Sequence, residues 1–145
     1  MEEISFVYEL PVPEDYFKLF ENTGWFRDRK PDKEELILTL SKSYFFVQAY
    51  EGNKLVGSGR VVSDGILHAM IYDMIIDPEY QNKGIGSKIL EMIVNKCNEN
   101  NIGDIQLFCA KGKKEFYLKN GFEIRAEDAP GMQYNRQRFV KLTSK

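Results

Sequence analysis

The spacing of apolar residues changes near the middle of the chain. A β-type apolar run covers residues 70–76 and stops at Asp77 and Pro78, because proline has no N–H for a strand ladder and restricts the residue before it. A polar stretch follows and leads to Gly84. Beyond it the apolar residues recur at helical spacing, at Ile85, Ile89, Leu90, Ile93, Val94 and Cys97. The pattern predicts a strand, a glycine-containing loop and an amphipathic helix.

The residues before this region predict one strand, two helices and then a β-meander. The strand covers residues 5–10, and proline and acidic residues start the first helix at Pro13. Asp32 is the predicted N-cap of the second helix, with Glu35 as the acid of a capping box. Residues 44–51, 55–63 and 67–76 then form strands separated by turn signals. Three strands joined by tight turns form an antiparallel meander.

After the long helix, the pattern alternates again between strands and a helix. Residues 105–109 are short and continuously apolar, as in a strand covered on both faces. A helix links this strand to the central one, so the two are predicted to run parallel. Residues 113–120 predict a short helix ending at Gly121, and residues 122–126 and 132–140 predict two last strands. This order indicates a mixed α/β (α+β) fold.

Length and composition are typical of one soluble domain. The chain has 145 residues, of which 43% are hydrophobic and 29% charged, so a single domain over residues 1–145 can bury a core. No apolar run approaches the roughly 20 residues of a membrane span, and the acidic N-terminus does not resemble a signal peptide. We therefore expect a cytoplasmic protein that does not bind membranes.

Net charge and cysteine content bear on three further features: nucleic-acid binding, metal binding and disulfide bonds. A formal net charge of −2 gives no reason to expect nucleic acid. Cys97 and Cys109 have no metal-like spacing, so both are predicted to be reduced residues of the core and no metal site is expected.

The strand, loop and helix around Gly84 suit a phosphate or pyrophosphate. Successive backbone N–H groups and the positive end of a helix dipole point to one place, and glycines let the backbone approach a ligand. The loop is not a Walker loop, since no Gly-Lys-Ser/Thr follows four variable residues. It is not the dinucleotide fingerprint either, because Ile89 stands at the third glycine position. Taken alone, the two glycines are equally compatible with an ordinary tight turn.

Two ordered motifs together resemble one family. Gln81, Gly84 and Gly86 after a strand and Asp-Pro resemble motif A of the GCN5-related N-acetyltransferases (GNAT). The segment Phe-Tyr-Leu-Lys-Asn-Gly-Phe at residues 116–122 resembles motif B. The resemblance covers the chain from about residue 44 to the end. It implies a mixed, mostly antiparallel twisted sheet of six to seven strands with about four helices, and acetyl-CoA as cosubstrate.

The resemblance also implies which residues hold acetyl-CoA. The backbone of Met74, Ile75 and Ile76 would pair with the pantetheine arm and polarise the thioester carbonyl. Loop amides would bind the pyrophosphate, from Gln81, Asn82, Lys83, Gly84, Ile85, Gly86 and Ser87. Lys83 and Lys88 would add positive charge near the phosphates, or would simply be solvated lysines.

Tyr117 and Asp73 are the predicted catalytic residues. Tyr117 matches the motif B tyrosine, which protonates the departing CoA thiolate; a phenol with a pKa near 10 is a reasonable donor to a thiolate of about 8.5. Alternatively, Tyr117 is an aromatic residue of the core with no catalytic role. Asp73 is the only carboxylate inside the central strand, where burial is costly. It is predicted to be the general base or the amine anchor, unless it pairs with Arg60 and an ordered water is the base.

The acceptor site has two interpretations. Trp25, Phe26 and Tyr134 would wall an aromatic or aliphatic amine. In the other interpretation, Arg27, Arg29 and Arg60 would bind a phosphate or carboxylate. The leading hypothesis is an N-acetyltransferase acting on a primary amine of a small molecule. Alternatives are an amino-sugar phosphate or protein acetyltransferase, and a non-catalytic acyl-CoA-binding module. Families that resemble this one often form dimers, so a homodimer is a further expectation.

Overall fold

The computed structural model describes residues 3–26 and 29–137. Its strands are β1 (Ile4–Val7), β2 (Phe45–Glu51), β3 (Lys54–Ser63), β4 (His68–Ile76) and β5 (Asp104–Leu107). Its α-helices are α1 (Pro13–Glu21), α2 (Lys33–Ser41), α3 (Ile85–Glu99) and α4 (Lys114–Lys119), and a short 3₁₀ turn covers Pro78–Tyr80. The chain divides into two compact units, residues 1–108 and residues 109–145.

The five strands form one mixed sheet in the order β1-β2-β3-β4-β5. Neighbouring strands are antiparallel from β1 to β4, and β4 pairs with β5 in parallel. The predicted meander and the predicted parallel pair are both confirmed. The parallel pair follows from the chain direction, because α3 returns the chain to the other end of the sheet before β5 begins.

Helices α1 and α2 pack on one face of the sheet. Their apolar residues form a hydrophobic cluster with two strand residues, and its buried members are Tyr16, Leu19, Phe20, Leu36, Leu40, Leu55 and Ile75. The predicted capping box starts α2: the Asp32 carboxylate accepts the Glu35 N–H at 2.8 Å, and the Glu35 carboxylate accepts the Asp32 N–H at 3.2 Å. This cap satisfies two backbone donors that a helix start otherwise leaves unpaired.

Helix α3 packs on the opposite face, over a point where β3 has no side chain. A Cβ added to Gly59 would lie 2.6 Å from Met74 Sδ and 2.8 Å from Ile89 Cγ2. Successive strand residues face opposite sides of a sheet, so Ser58 points away from α3, towards α1 and α2. Gly59 therefore lets α3 approach the sheet closely.

The β3–β4 ladder is interrupted beside Gly59. Ser58 pairs with Ile75 and Arg60 pairs with Tyr72, so one β3 residue lies opposite two residues of β4. One of these two is Asp73, whose φ of 54° is in the left-handed region. This is a β-bulge, and it changes the direction of the Asp73 side chain relative to the regular strand.

Three expectations about the C-terminal part need correction. Residues 122–126 and 132–137 form no strand, and residues 138–140 of the last predicted strand lie outside the described residues. Neither segment has a partner strand within the described ranges, and Ile124 is 68% exposed, so their apolar residues are not those of a paired strand. The described sheet has five strands rather than six or seven. Cys97 is buried as predicted, but β5 ends before Cys109, which is exposed.

Across residues 3–26 and 29–137, no helix combines the length and apolar character that crossing a membrane requires. The same residues contain no group of three or more His, Cys, Asp or Glu side chains arranged to hold a metal ion.

Gly59→Ala should lower the free energy of unfolding by about 1–3 kcal/mol. The added methyl group would displace Met74 or Ile89, and this cost outweighs the entropy that alanine removes from the unfolded chain. Urea denaturation measures the change. Val62→Ala, at an exposed position of the same strand, is the control and should cost less than about 1 kcal/mol. Equal stability of Gly59→Ala and the wild type would contradict the close packing described for α3.

Candidate functional site

One edge of β4 is open along its second half. Pairing with β5 runs from His68 to Ile71 and ends where β5 ends, at Leu107. Within the described residues, positions 72–76 have no partner strand on that side, although Ile75 and Ile76 still pair with β3 on the other. The predicted pantetheine-binding residues, 74–76, lie on this open stretch. An extended ligand can pair with backbone N–H and C=O groups at such an edge.

The loop after β4 is tied to the end of the sheet. The Asp77 N–H donates to the Val56 carbonyl at 2.8 Å, and the Asp77 carboxylate accepts the Glu79 N–H at 2.9 Å. The Gln81 side-chain amide donates to the Ile76 carbonyl at 3.1 Å. The loop is therefore held directly beside the open edge of β4.

The backbone of the loop is in the left-handed region at two positions just before α3. Asn82 and Gly84 both have positive φ, 63° and 84°. A Cβ at Gly84 would meet no atom within 4 Å, so glycine is favoured there by φ and not by space. The Lys88 N–H donates to the Gly84 carbonyl at 3.1 Å. The N–H groups of Ile85, Gly86 and Ser87 precede that bond and have no acceptor inside the helix, and the helix dipole adds positive potential there.

The two lysines of the loop region are exposed and have local contacts. Lys83 Nζ lies 5.4 Å from the centre of the Tyr80 ring. Lys88 pairs with Glu91, one turn along α3, at 3.7 Å. These contacts do not involve a ligand, so the contribution of Lys83 and Lys88 to phosphate binding stays a prediction.

Tyr80 connects the loop to the β2–β3 hairpin, and sequence reasoning did not identify it. Its hydroxyl donates to Glu51 Oε1 at 2.7 Å, and this hydrogen bond, with burial second, raises the pKa of Tyr80 to about 12. Lys54 Nζ lies 5.0 Å from the Tyr80 ring centre and within 4.0 Å of the Asp77 and Glu79 carboxylates. The only sequence signal was an aromatic residue in a polar loop, because Glu51 is 29 positions away.

Asp73 and Arg60 form an ion pair at the β-bulge. Arg60 Nε donates to Asp73 Oδ2 at 2.7 Å, and Arg60 Nη1 donates to Ser43 Oγ at 3.4 Å. The guanidinium lies over the Tyr72 ring, 5.4 Å from its centre. This pair is the alternative that the sequence left open for Asp73. A base or amine-anchoring role for the carboxylate stays a prediction.

The other predicted acceptor residues are dispersed. Trp25 packs edge-to-face on Phe20, with ring centres 5.9 Å apart, and Arg29 pairs with Glu35 of α2. Tyr134 belongs to the second unit and is exposed. Arg27 lies outside the described residues. Of the predicted acceptor and catalytic residues, the structure therefore brings together Arg60 and Asp73, while Trp25 and Arg29 contact α1 and α2.

In the second unit, Tyr117 lies on α4 among aromatic residues. Its ring centre is 5.0 Å from that of Phe116 and 6.0 Å from that of Phe122, both nearly edge-on. Burial, with Cys109 second, raises the pKa of Tyr117 to about 12. The Phe122 N–H donates to the Tyr117 carbonyl at 3.1 Å, and Gly121 has a φ of 91°, as predicted for a residue that ends the helix. At neutral pH the phenol keeps its proton and can donate it.

Known proteins with related sequences are acetyltransferases. A family model described as an acetyltransferase (GNAT) domain matches residues 41–124, more than half of the chain. A histone acetyltransferase from Glycine max is 33% identical over 129 residues, covering 81% of this chain and 54% of its own. The chain thus spans about half the length of that curated relative.

Solved structures agree with this match. A GNAT-family acetyltransferase from Streptococcus pneumoniae is 31% identical, with a TM-score of 0.77 over 92% of this chain and 98% of its own. A protein of unknown function from meticillin-resistant Staphylococcus aureus is 27% identical, with a TM-score of 0.80 over 92% of this chain and 99% of its own. The open strand edge, the amide-lined loop and these matches lead to one conclusion: the chain belongs to the GNAT family of acetyltransferases.

Proposed function

We propose that this protein transfers the acetyl group of acetyl-CoA directly to the primary amine of a small molecule. The observation that carries the proposal is the open edge of β4, followed by a loop that ends in the N–H groups at the start of α3, which have no acceptor inside the helix. A backbone edge suits the amide-containing pantetheine arm, and the N–H groups at the start of α3 suit a pyrophosphate. Bound there, acetyl-CoA supplies an activated thioester.

In this proposal, the chain's own residues position the reactants and handle two protons. The backbone of residues 74–76 pairs with the pantetheine arm and polarises the thioester carbonyl. Asp73, or an ordered water, accepts the proton of the attacking amine. Tyr117 donates to the thiolate as the C–S bond breaks. Its pKa, raised to about 12 mainly by burial, keeps the phenol protonated at neutral pH and makes it a weaker acid than a free tyrosine.

The structure gives an anionic acceptor less support than the sequence did. Arg29 and Arg60 each have a carboxylate partner. The positive charge of each guanidinium is therefore already balanced and is less available to an acceptor phosphate. A protein lysine is the second candidate, because the Glycine max relative is named a histone acetyltransferase.

The proposal is tested by calorimetric titration with acetyl-CoA, followed by a free-thiol assay against a panel of acceptors. The panel contains small hydroxylated, aliphatic, aromatic and phosphorylated amines and a histone-tail peptide. Binding with turnover on small amines is the expected result. Turnover on the peptide alone would favour the second candidate. Binding without turnover on any acceptor would indicate a non-catalytic module, and absence of binding would contradict the assignment of the loop.

Tyr117→Phe should lower kcat by roughly 10²–10⁴ and leave acetyl-CoA affinity nearly unchanged. The substitution removes the proton donor and keeps the ring that packs on Phe116 and Phe122. Steady-state kinetics and calorimetry measure the two effects. Tyr8→Phe, at an exposed tyrosine of the first unit, is the matched control. An unaltered kcat in Tyr117→Phe would make Tyr117 a packing residue only.

Tyr80→Phe should raise the KM for acetyl-CoA roughly three- to tenfold with little change in kcat, since one hydrogen bond that holds the loop is lost. Glu51→Gln keeps an acceptor oxygen for the Tyr80 hydroxyl and should have a smaller effect. Tyr8→Phe again serves as the control. If Tyr80→Phe bound acetyl-CoA as tightly as the wild type, the contact with Glu51 would not position the loop.

A further inference from the structure

Asp73 combines a strained backbone with a place at the open edge of β4. Its φ of 54° lies in the left-handed region, where the other two described non-glycine residues, Asn82 and Asn101, belong to loops and not to a strand. An aspartate in this conformation costs backbone energy relative to a regular strand. Such residues persist only where their surroundings hold them, and they cluster at functional sites. The contacts that hold Asp73 therefore bear on its role.

Arg60 holds Asp73, and three contacts fix the Arg60 guanidinium. Its Nε donates to Asp73 Oδ2 at 2.7 Å, and its Nη1 donates to Ser43 Oγ at 3.4 Å. The Ser43 hydroxyl donates its own proton to the Thr39 carbonyl at 2.6 Å, so it meets the guanidinium with a lone pair. The third contact is the Tyr72 ring, whose centre lies 5.4 Å from Arg60 Cζ. These contacts confine the planar guanidinium to a narrow range of orientations.

Arg60 occupies only one oxygen of the Asp73 carboxylate. Among the described residues, Asp73 Oδ1 has no hydrogen-bond partner, yet it is not one of the fully buried polar atoms that lack a partner. The side chain as a whole is 19% exposed. Asp73 Oδ1 is therefore in contact with solvent, and a ligand can reach it. An ionised carboxylate oxygen accepts hydrogen bonds from N–H groups.

The chemistry of this ion pair fits the proposed reaction. Asp73 directly precedes residues 74–76, whose backbone the proposed function assigns to the thioester carbonyl. The amine has to approach that carbonyl, so a group that accepts a hydrogen bond from its N–H is needed close by. An anionic group would instead be repelled by the Asp73 carboxylate, and it would find the Arg60 Nε already engaged. The pair therefore suits an amine N–H better than a phosphate.

We propose that Arg60 is a positioning residue for acetyl transfer. By binding Asp73 Oδ2, it fixes the carboxylate at the bulge and leaves Oδ1 to accept a hydrogen bond from the attacking amine. This inference rests on the proposed function, and it gives Arg60 a role that differs from the anion binding expected from the sequence. Arg60 acts through Asp73 and does not bind the acceptor. A small displacement of a group that orients a reactant lowers the rate strongly.

The test is a double-mutant cycle, measured with the small amine of the acceptor panel that has the highest kcat/KM. Arg60→Met removes the guanidinium contacts and should lower kcat/KM for this amine roughly ten- to hundredfold, with the KM for acetyl-CoA unchanged. Asp73→Asn removes the charge and keeps a residue that tolerates the left-handed backbone. In the Asp73→Asn background, Arg60→Met should cost less than about threefold, because the partner of Arg60 is already lost.

Arg60→Lys separates geometry from charge. Lysine keeps the positive charge, but one ammonium group cannot reproduce both hydrogen bonds and the ring contact. The kcat/KM of this variant should therefore stay roughly three- to tenfold below that of the wild type.

Lys33→Met is the control, because Lys33 also pairs with a carboxylate, that of Glu14 at 3.4 Å, and is outside the proposed site. Its kcat/KM should equal that of the wild type. Thermal unfolding checks that each variant is folded, and the same cycle with Arg60→Lys decides the question if Arg60→Met unfolds the protein.

Three results would overturn the inference while leaving acetyl transfer intact. An equal loss from Arg60→Met in both backgrounds would indicate a structural role only. A loss confined to the phosphorylated amines would indicate that Arg60 binds an anionic group of the acceptor. Wild-type kcat/KM in Asp73→Asn or in either Arg60 variant would mean that no positioned carboxylate takes part. Failure of the wild type to acetylate any small amine, despite binding acetyl-CoA, would overturn both the proposed function and the inference.

Discussion

Among the described residues, the backbone of β4 is paired on both edges only as far as Ile71. Beyond that residue β5 ends on one side, and on the other side the β-bulge at Asp73 interrupts the ladder with β3. Backbone N–H and C=O groups are rarely left without partners inside a protein, so a strand in this state needs a solvent- or ligand-facing edge. The candidate site depends on this interruption, because it leaves backbone groups available beside a loop of unpaired amides.

Three features support the interruption and the loop that follows it. On the α3 face, Gly59 has no side chain, which leaves room for Met74 and Ile89. At the bulge itself, the Arg60–Asp73 ion pair joins β3 to β4. The contact between Tyr80 and Glu51 then keeps the following loop against the β2–β3 hairpin. Each contact joins residues far apart in sequence, so the shape of the site is a tertiary property.

This distinction explains which features could be predicted from the sequence. The capping box of α2, the start of α3 at Ile85 and the meander are encoded within short segments, and the structure has all three. The joint burial of Tyr16, Gln48 and Ser58 could not be predicted, because the three residues come from three different elements. The strands expected over residues 122–126 and 132–140 have no partner strand within the described residues. The alternation of apolar and polar residues indicates that a segment tends to be extended. It does not identify the strand with which that segment pairs.

The most direct test of the account is amide NMR of the ¹⁵N-labelled protein titrated with acetyl-CoA. The account predicts that the largest chemical-shift changes fall on the backbone amides of residues 74–76 and 81–87, at the open edge of β4 and the start of α3. The amides of β1, at the far edge of the sheet, should change little. Saturable binding that leaves the amides of residues 74–76 and 81–87 unchanged would contradict the assignment of this edge and loop as the acetyl-CoA site.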